Sequence, residues 1–219
     1  MSLLNLTSLF GASDEQMMWR VRSEDDADAF GHLVGKWQGT IQRLCVRMLG
    51  DAHRGEDLTQ EAFARLYAKR HDYQPAAKFS TYLWRVALNL CYDELRRLKR
   101  RPEMSLEAQN SDGEDGFTFL DRHAGVETGP DVALENQEHA DLVRAALQRL
   151  PEHYRTVVVL RHYENLKFRE IAEVLGIPEG TVKSRMAEGL QQLQEILTRA
   201  FRTLENPRPG SRPAESLIL

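Results

Sequence analysis

Phe30, Leu33, Val34, Trp37, Ile41, Leu44, Cys45 and Met48 recur at spacings of three and four, which draws one apolar stripe along a long helix. Leu58, Ala62, Phe63, Leu66 and Tyr67 draw a second stripe. After a loop containing Pro75, Leu83, Val86, Ala87, Leu90 and Cys91 draw a third, with Ser80 or Thr81 placed as its cap. Upstream, Ser13 is placed to cap the segment DEQMMWRVR. No segment alternates with the two-residue period of a strand, so residues 14–101 read as an all-helical domain.

A second helical domain reads over 136–204. LVRAALQRL runs to Pro151 and is followed by EHYRTVVVLRHYEN, by KFREIAEVLG and by a helix that starts at Pro178. A short helix, a turn at Gly176 and a second helix form a helix-turn-helix pattern. Val182, Met186, Leu190, Leu193 and Leu197 are expected to form the buried seam of the last helix. Residues 205–219, with Pro207, Pro209 and Pro213, read as a disordered tail. The whole chain is therefore expected to be all-α, two small helical domains joined by a linker at 102–135.

Charge gives that linker its character. The chain carries −4, yet Glu103 to Asp141 holds eleven acids against one base, Arg122, so this stretch carries −10 and the remainder +6. With Gly113, Gly116, Gly125, Gly129 and Pro130 and no sustained period, it reads as flexible and acidic. Of 219 residues, 42% are hydrophobic and 28% charged, which suits a soluble helical protein. No apolar run is long enough to span a bilayer. The opening MSLLNLTSLFGAS lacks a basic region before its apolar residues and is not read as a secretory signal. Cys45 and Cys91 each fall in an apolar helical pattern and read as core thiols rather than as a disulfide or metal pair. The seven histidines form no paired ligand spacing, and no phosphate-binding glycine loop occurs, so neither catalytic site, metal nor cofactor is expected.

Three surfaces remain. On the third helix, Arg85, Asn89, Tyr92, Arg96, Lys99 and Arg100 fall together opposite the Leu83–Val86–Leu90 side, with Tyr73, Phe79, Tyr82 and Trp84 clustered near its start. Cations interleaved with an amide and an aromatic can hold phosphates and stack an unpaired base. The bland alternative makes Phe79 and Trp84 core and the arginines a solvated face. On EDLTQEAFARLY, Asp57, Gln60, Glu61 and Ala64 point away from the Leu58–Ala62–Phe63 side. That acidic face would repel phosphate and suits either a basic protein partner or solvent. On the last helix, Ser184, Glu188, Gln191 and Glu195 lie opposite the seam, with Lys183 and Arg185 on its flanks.

Taken in order, these motifs resemble the extracytoplasmic-function sigma factors of bacterial RNA polymerase over almost all of residues 14–200. EDLTQEAFARLY is similar to the family's core-docking motif, which implies contacts to the β′ clamp helices by Asp57, Leu58, Gln60, Glu61 and Phe63. FSTYLWRVALNLCYDELRR resembles the segment that melts and reads the minus-10 element, implicating Tyr82, Trp84, Arg85, Asn89, Tyr92 and Arg96. LPEHYRTVVVLRHYENLKFREIAEVLGIPEGTVKSR resembles the minus-35-binding domain, with Thr181, Lys183, Ser184 and Arg185 at its recognition positions. The resemblance further implies a non-enzymatic, cytoplasmic initiation factor. Its partners would be core RNA polymerase (β′ clamp helices and β flap), promoter DNA and an anti-sigma factor, with no small-molecule substrate and no membrane insertion. Two departures stand out: Tyr82 replaces a common tryptophan, and MAEGLQQLQ follows Arg185 where the family usually continues with basic residues.

Two other classes remain at this level. A stand-alone helix-turn-helix regulator would leave the Asp57–Phe63 motif and the acidic linker without a task. A sequestering interaction protein would leave the Arg85–Arg100 stripe without one.

Overall fold

The computed structural model describes residues 12–74, 78–100 and 130–205, with the backbone alone for 130–138 and 203–205. The expectations for residues 1–11, the Pro75 loop, the acidic segment before residue 130 and the tail from residue 206 lie outside the described residues. Among the described residues there is no strand, as the periodicity requires.

Helix α1, Asp14–Glu24, is capped as expected by Ser13: its hydroxyl accepts from Gln16 N (3.3 Å) while Gln16 Oε1 accepts from Ser13 N (2.8 Å). Helix α2, Ala27–Leu49, starts on an Asp26 carboxylate that accepts from Ala29 N and ends at Gly50, whose φ of 77° is left-handed. Its stripe buries Leu33, Ile41, Leu44, Cys45 and Met48. Helix α3, Ala52–Ala68, is capped by Asp51 and buries Thr59, Ala62, Phe63 and Leu66. Helix α4, Phe79–Lys99, starts earlier than Ser80 or Thr81 could cap, and those residues lie inside its first turn. The cap comes from another helix instead: Glu15 Oε1 of α1 accepts from Phe79 N at 3.0 Å.

The C-terminal half comprises α5 (Pro130–Arg149), α6 (Glu152–His162), α7 (Phe168–Leu175) and α8 (Glu179–Glu205). Helix α5 begins six residues before the expected boundary at 136, because Pro130 suits the first helical position. Gly176, at φ 66°, turns α7 into α8. At 27 residues α8 is about 40 Å long, well beyond a recognition helix.

The two halves share one apolar core. Met18, Leu33, Ile41, Leu44 and Leu83 continue into Val157, Val159, Leu160, Ile171, Val174 and Val182. A smaller cluster of Leu147, Leu150 and Val158 lies under α5 and α8. Arg155 is buried at the junction. Its guanidinium donates to the carbonyls of Gln148 (2.6 Å) and Leu150 (3.0 Å) and to the carbonyl of Met48 on α2. Burial pulls its pKa below the usual arginine range, and these carbonyls supply the acceptors that a buried cation requires. Cys45 and Cys91 are both buried, as core thiols should be. The hydrogen bond that Cys91 donates to Cys45, with burial, holds Cys91 above the ordinary thiol range.

Candidate nucleic-acid interface

Helix α3 holds the acidic face. Asp57, Gln60, Glu61 and Ala64 are exposed, Leu58 is half-buried, and Glu61 pairs with Arg65 one turn on (2.6 Å). Phe63, expected to contact a partner, is only 6% exposed and packs inward. It supports the face from beneath rather than belonging to it. The tilt of α3 depends on Gly55: a Cβ there would stand 2.5 Å from Val46 Cγ2 and 2.9 Å from Val46 N. Only a glycine lets the backbones of α2 and α3 approach this closely. Arg54, bonded to Asp51 and to Glu94 of α4, ties the start of α3 to α4.

Helix α4 separates two stripes. Phe79, Leu83, Trp84, Ala87, Leu88, Leu90 and Cys91 are buried, while Arg85, Asn89, Asp93, Arg96 and Lys99 face outward. Trp84 was expected among the DNA-contacting residues. It is 3% exposed, with its ring edge-on to Trp37 at 6.2 Å, and so cannot stack an incoming base. The aromatic that remains partly accessible near the helix start is Tyr82, half-buried against Tyr73 at 5.7 Å. Burial pushes the Tyr73 hydroxyl up to about 12 and raises Tyr82, so both phenols stay neutral donors at physiological pH. Arg96 pairs with Asp93 (3.1 Å) with both side chains well exposed, a contact too weak to withhold the guanidinium from a phosphate.

The helix-turn-helix is α7–Gly176–α8. Glu170 accepts from the Lys167 N–H (2.9 Å) and so closes the start of α7. Lys183 is exposed and paired with Glu179 (2.7 Å), Ser184 is exposed and donates to the Thr181 carbonyl (3.0 Å), and Thr181 and Arg185 are half-buried. Glu188 is exposed and accepts from Gln192 (3.2 Å). The seam of α8 holds at Val182, which is buried, and at Met186, Leu193 and Leu197, which are half-buried, and departs from the expected one at Leu190. Leu190 is 41% exposed, whereas Gly189 is buried, its position for a Cβ lying 3.2 Å from Val158 Cγ2 and 3.3 Å from Tyr154 Cβ. A glycine at the crossing lets α8 pack tightly on α6, and Leu193 and Ile196 continue that side.

The structure also brings the α4 stripe against the C-terminal helices α6 and α7, which the sequence did not indicate. Arg85 Nε donates to the Val174 carbonyl (3.1 Å) and its terminal nitrogen to the Glu173 carbonyl, while the Tyr92 hydroxyl meets Thr156 Oγ1 at 2.8 Å. Burial raises the Tyr92 pKa, an effect opposed by the Thr156 hydrogen bond and by the positive charge of Arg185. Asn89 and Arg96 stay on the exposed face. Among the described residues no group of three or more His, Cys, Asp or Glu could share a metal ion, and no helix is long and apolar enough to cross a membrane.

Comparison with known proteins agrees with this organisation. The family described as sigma-70 region 2 matches residues 33–101, and that described as sigma-70, region 4 matches residues 140–193. The extracytoplasmic-function RNA polymerase sigma factor SigW of Bacillus subtilis is 38% identical over 172 residues, covering 78% of this chain and 90% of its own length. The RNA polymerase sigma-H factor of Pseudomonas aeruginosa is 34% identical over 186 residues, covering 84% and 93%. Among solved structures, CnrH in complex with the cytosolic domain of CnrY shares the fold at a TM-score of 0.61 and 22% identity, covering 86% of this chain and 99% of that one. With region 2 on the α2–α4 bundle, region 4 on the helix-turn-helix and this identity along most of its length, the chain belongs to the extracytoplasmic-function sigma factors of bacterial RNA polymerase.

Proposed function

We propose that this sigma factor docks on core RNA polymerase through the exposed face of α3, with Asp57, Leu58, Gln60 and Glu61 meeting basic residues of the β′ clamp helices. The observation that carries the wider reading is the division of α4. Its inner stripe is packed core, and its outer stripe presents Arg85, Asn89, Tyr92 and Arg96 beside a half-buried Tyr82. An amide, cations and phenols on one rigid helix suit capture of an unpaired strand of the minus-10 element. Extracting a base costs a few kcal/mol, which stacking and hydrogen bonds offset without ATP. Thr181, Lys183, Ser184 and Arg185 at the start of α8 contact the minus-35 element. That helix carries little positive charge, and Glu188 follows where another cation would hold a phosphate. Polymerase therefore supplies most of the backbone grip. The protein acts in the cytoplasm with polymerase, and an anti-sigma factor is the proposed negative regulator.

The test is run-off transcription from genomic DNA with core enzyme, with and without this protein. Discrete transcripts that core alone does not make support the proposal. Tight, specific duplex binding without polymerase, together with no new transcripts, would instead mark a stand-alone regulator.

A further inference from the structure

Glu15, Met18, Arg22 and Asp25 follow one another at spacings of three, four and three, so they share one face of α1 and its C-cap. Met18 is fully buried and anchors that face to the core. The other three each hold a point on the chain that leads into α4. Asp25 pairs with Arg70, and Arg22 donates to the Tyr73 carbonyl at 2.8 Å. Glu15 accepts from Phe79 N at 3.0 Å. Seven residues separate Glu15 from Arg22, about 10.5 Å along the axis, so one short helix grips the chain both at Tyr73 and at Phe79. Helix α1 lies upstream of the sigma-70 region 2 match, which begins at residue 33.

What these bonds fix is Tyr82. Its N–H donates to the Lys78 carbonyl (3.3 Å), which places Tyr82 in the first turn of α4. Lys78 supplies no side-chain cap to that turn, and Glu15 closes it from α1, with its negative charge at the positive end of the α4 dipole. Burial opposes that charge, but the hydrogen bonds led by the Phe79 N–H outweigh it and hold the Glu15 carboxyl below its ordinary value. The buried Tyr73 ring backs Tyr82 at 5.7 Å and Phe79 at 6.4 Å. Arg22 sets the backbone of Tyr73 and is itself held over the Trp19 ring at 5.1 Å. Tyr82 is thus fixed at its backbone through Glu15 and behind its ring through Arg22.

We propose that Glu15 and Arg22 are positioning residues for promoter opening: α1 holds Tyr82 in the orientation in which its ring stacks on an unpaired base. This rests on the reading of the α4 face, Tyr82 included, as the surface that captures a separated strand. Stacking requires ring overlap, and a site works only when the residues behind it lock its geometry. A Tyr82 free to shift with the first turn of α4 would leave promoter binding intact and hold the separated strand poorly.

The test uses holoenzyme assembled from core polymerase and the full chain, on a promoter recovered by run-off transcription. Permanganate reactivity of the promoter thymines, followed in time at increasing holoenzyme concentration, gives a plateau opening rate and a half-saturating concentration. Glu15→Ala should lower the plateau about fivefold, the typical weight of a helix cap, with the half-saturating concentration unchanged. Glu15→Gln keeps an acceptor for the Phe79 N–H and should stay within about twofold of wild type. Arg22→Ala should slow opening in the same way, and Arg22→Lys, which keeps a donor, should recover most of the rate. In a Tyr82→Leu background, Glu15→Ala should cause no further loss, because its effect passes through the missing ring. A general loss of folded protein would instead multiply with the loss from Tyr82→Leu. Multiplied losses overturn the proposal, as does a Gln variant as slow as the Ala variant or a wild-type plateau in Glu15→Ala. A wild-type plateau in Tyr82→Leu fails the reading of the α4 face itself, whereas a slowed Tyr82→Leu beside a wild-type Glu15→Ala fails only the assignment of α1.

Discussion

Helices α3 and α4 are neighbours in one bundle, and both present an outward face of polar and charged residues, yet the chain treats the two faces differently. On α3, Asp57, Gln60 and Glu61 remain exposed, and Glu61 pairs with the helix's own Arg65. On α4, Arg85 and Tyr92 already bond acceptors of the C-terminal helices. The face assigned to polymerase is open, and the face assigned to DNA is in use. This asymmetry suits a protein that meets polymerase first and DNA afterwards, because the first partner finds its surface ready.

The comparison breaks most severely at Trp84, which sits beneath the α4 stripe. Trp84→Ala should cost about 3–5 kcal/mol of folding stability by denaturant titration, as loss of a buried tryptophan does. Asn89→Ala, on the outer stripe of the same helix, should stay within about 0.5 kcal/mol of wild type. Its loss should appear in strand opening, read by permanganate reactivity of promoter thymines, with closed-complex binding retained. A stable Trp84→Ala protein that fails to melt promoters would return Trp84 to the DNA surface.

On α3 the equivalent break is Asp57→Lys with Glu61→Lys. Like charges brought against the basic partner should weaken binding to core polymerase by about 100-fold, roughly 2.7 kcal/mol, with helical content unchanged by circular dichroism. Undiminished co-purification would remove the docking assignment. A gentler change is Gly55→Ala, whose new methyl meets Val46 at 2.5 Å and should destabilise the bundle by about 1–3 kcal/mol in thermal unfolding. The smallest expected effect belongs to Glu188→Arg on α8. One added phosphate contact should steepen the slope of log affinity for duplex DNA against log salt by about 0.9, equally for promoter and random sequences. Selective loss on the promoter would mean that Glu188 reads a base.

The helices themselves were legible because their apolar spacing is regular, and the Asp57–Glu61 face followed from the wheel. Trp84 was legible too: it shares its side of the wheel with Ala87, Leu88 and Cys91, at intervals of three, four and seven. Most of the α8 seam was legible, and Leu190 was the exception: Gly189 takes the buried place beside it, carries no hydrophobic signal, and is buried by the close approach of Tyr154 and Val158. The cap of α4 comes from Glu15, 64 residues upstream, and so lies beyond any local rule. The contacts that the outer stripe of α4 makes with the C-terminal half are single polar bonds such as Tyr92 with Thr156, which leave no periodic trace in either helix.

Side-chain oxidation by hydroxyl radicals, followed by mass spectrometry on the full chain alone and bound to core polymerase, tests this asymmetry most directly. Tyr92 and Leu58 are both half-buried in the free chain and serve as reporters for the two faces. The account predicts opposite changes on binding core enzyme: Tyr92 becomes more reactive as the C-terminal helices leave α4, and Leu58 becomes less reactive as α3 is covered. Unchanged or reduced reactivity at Tyr92, with Leu58 protected, would contradict it, because polymerase would then have bound without exposing the DNA face.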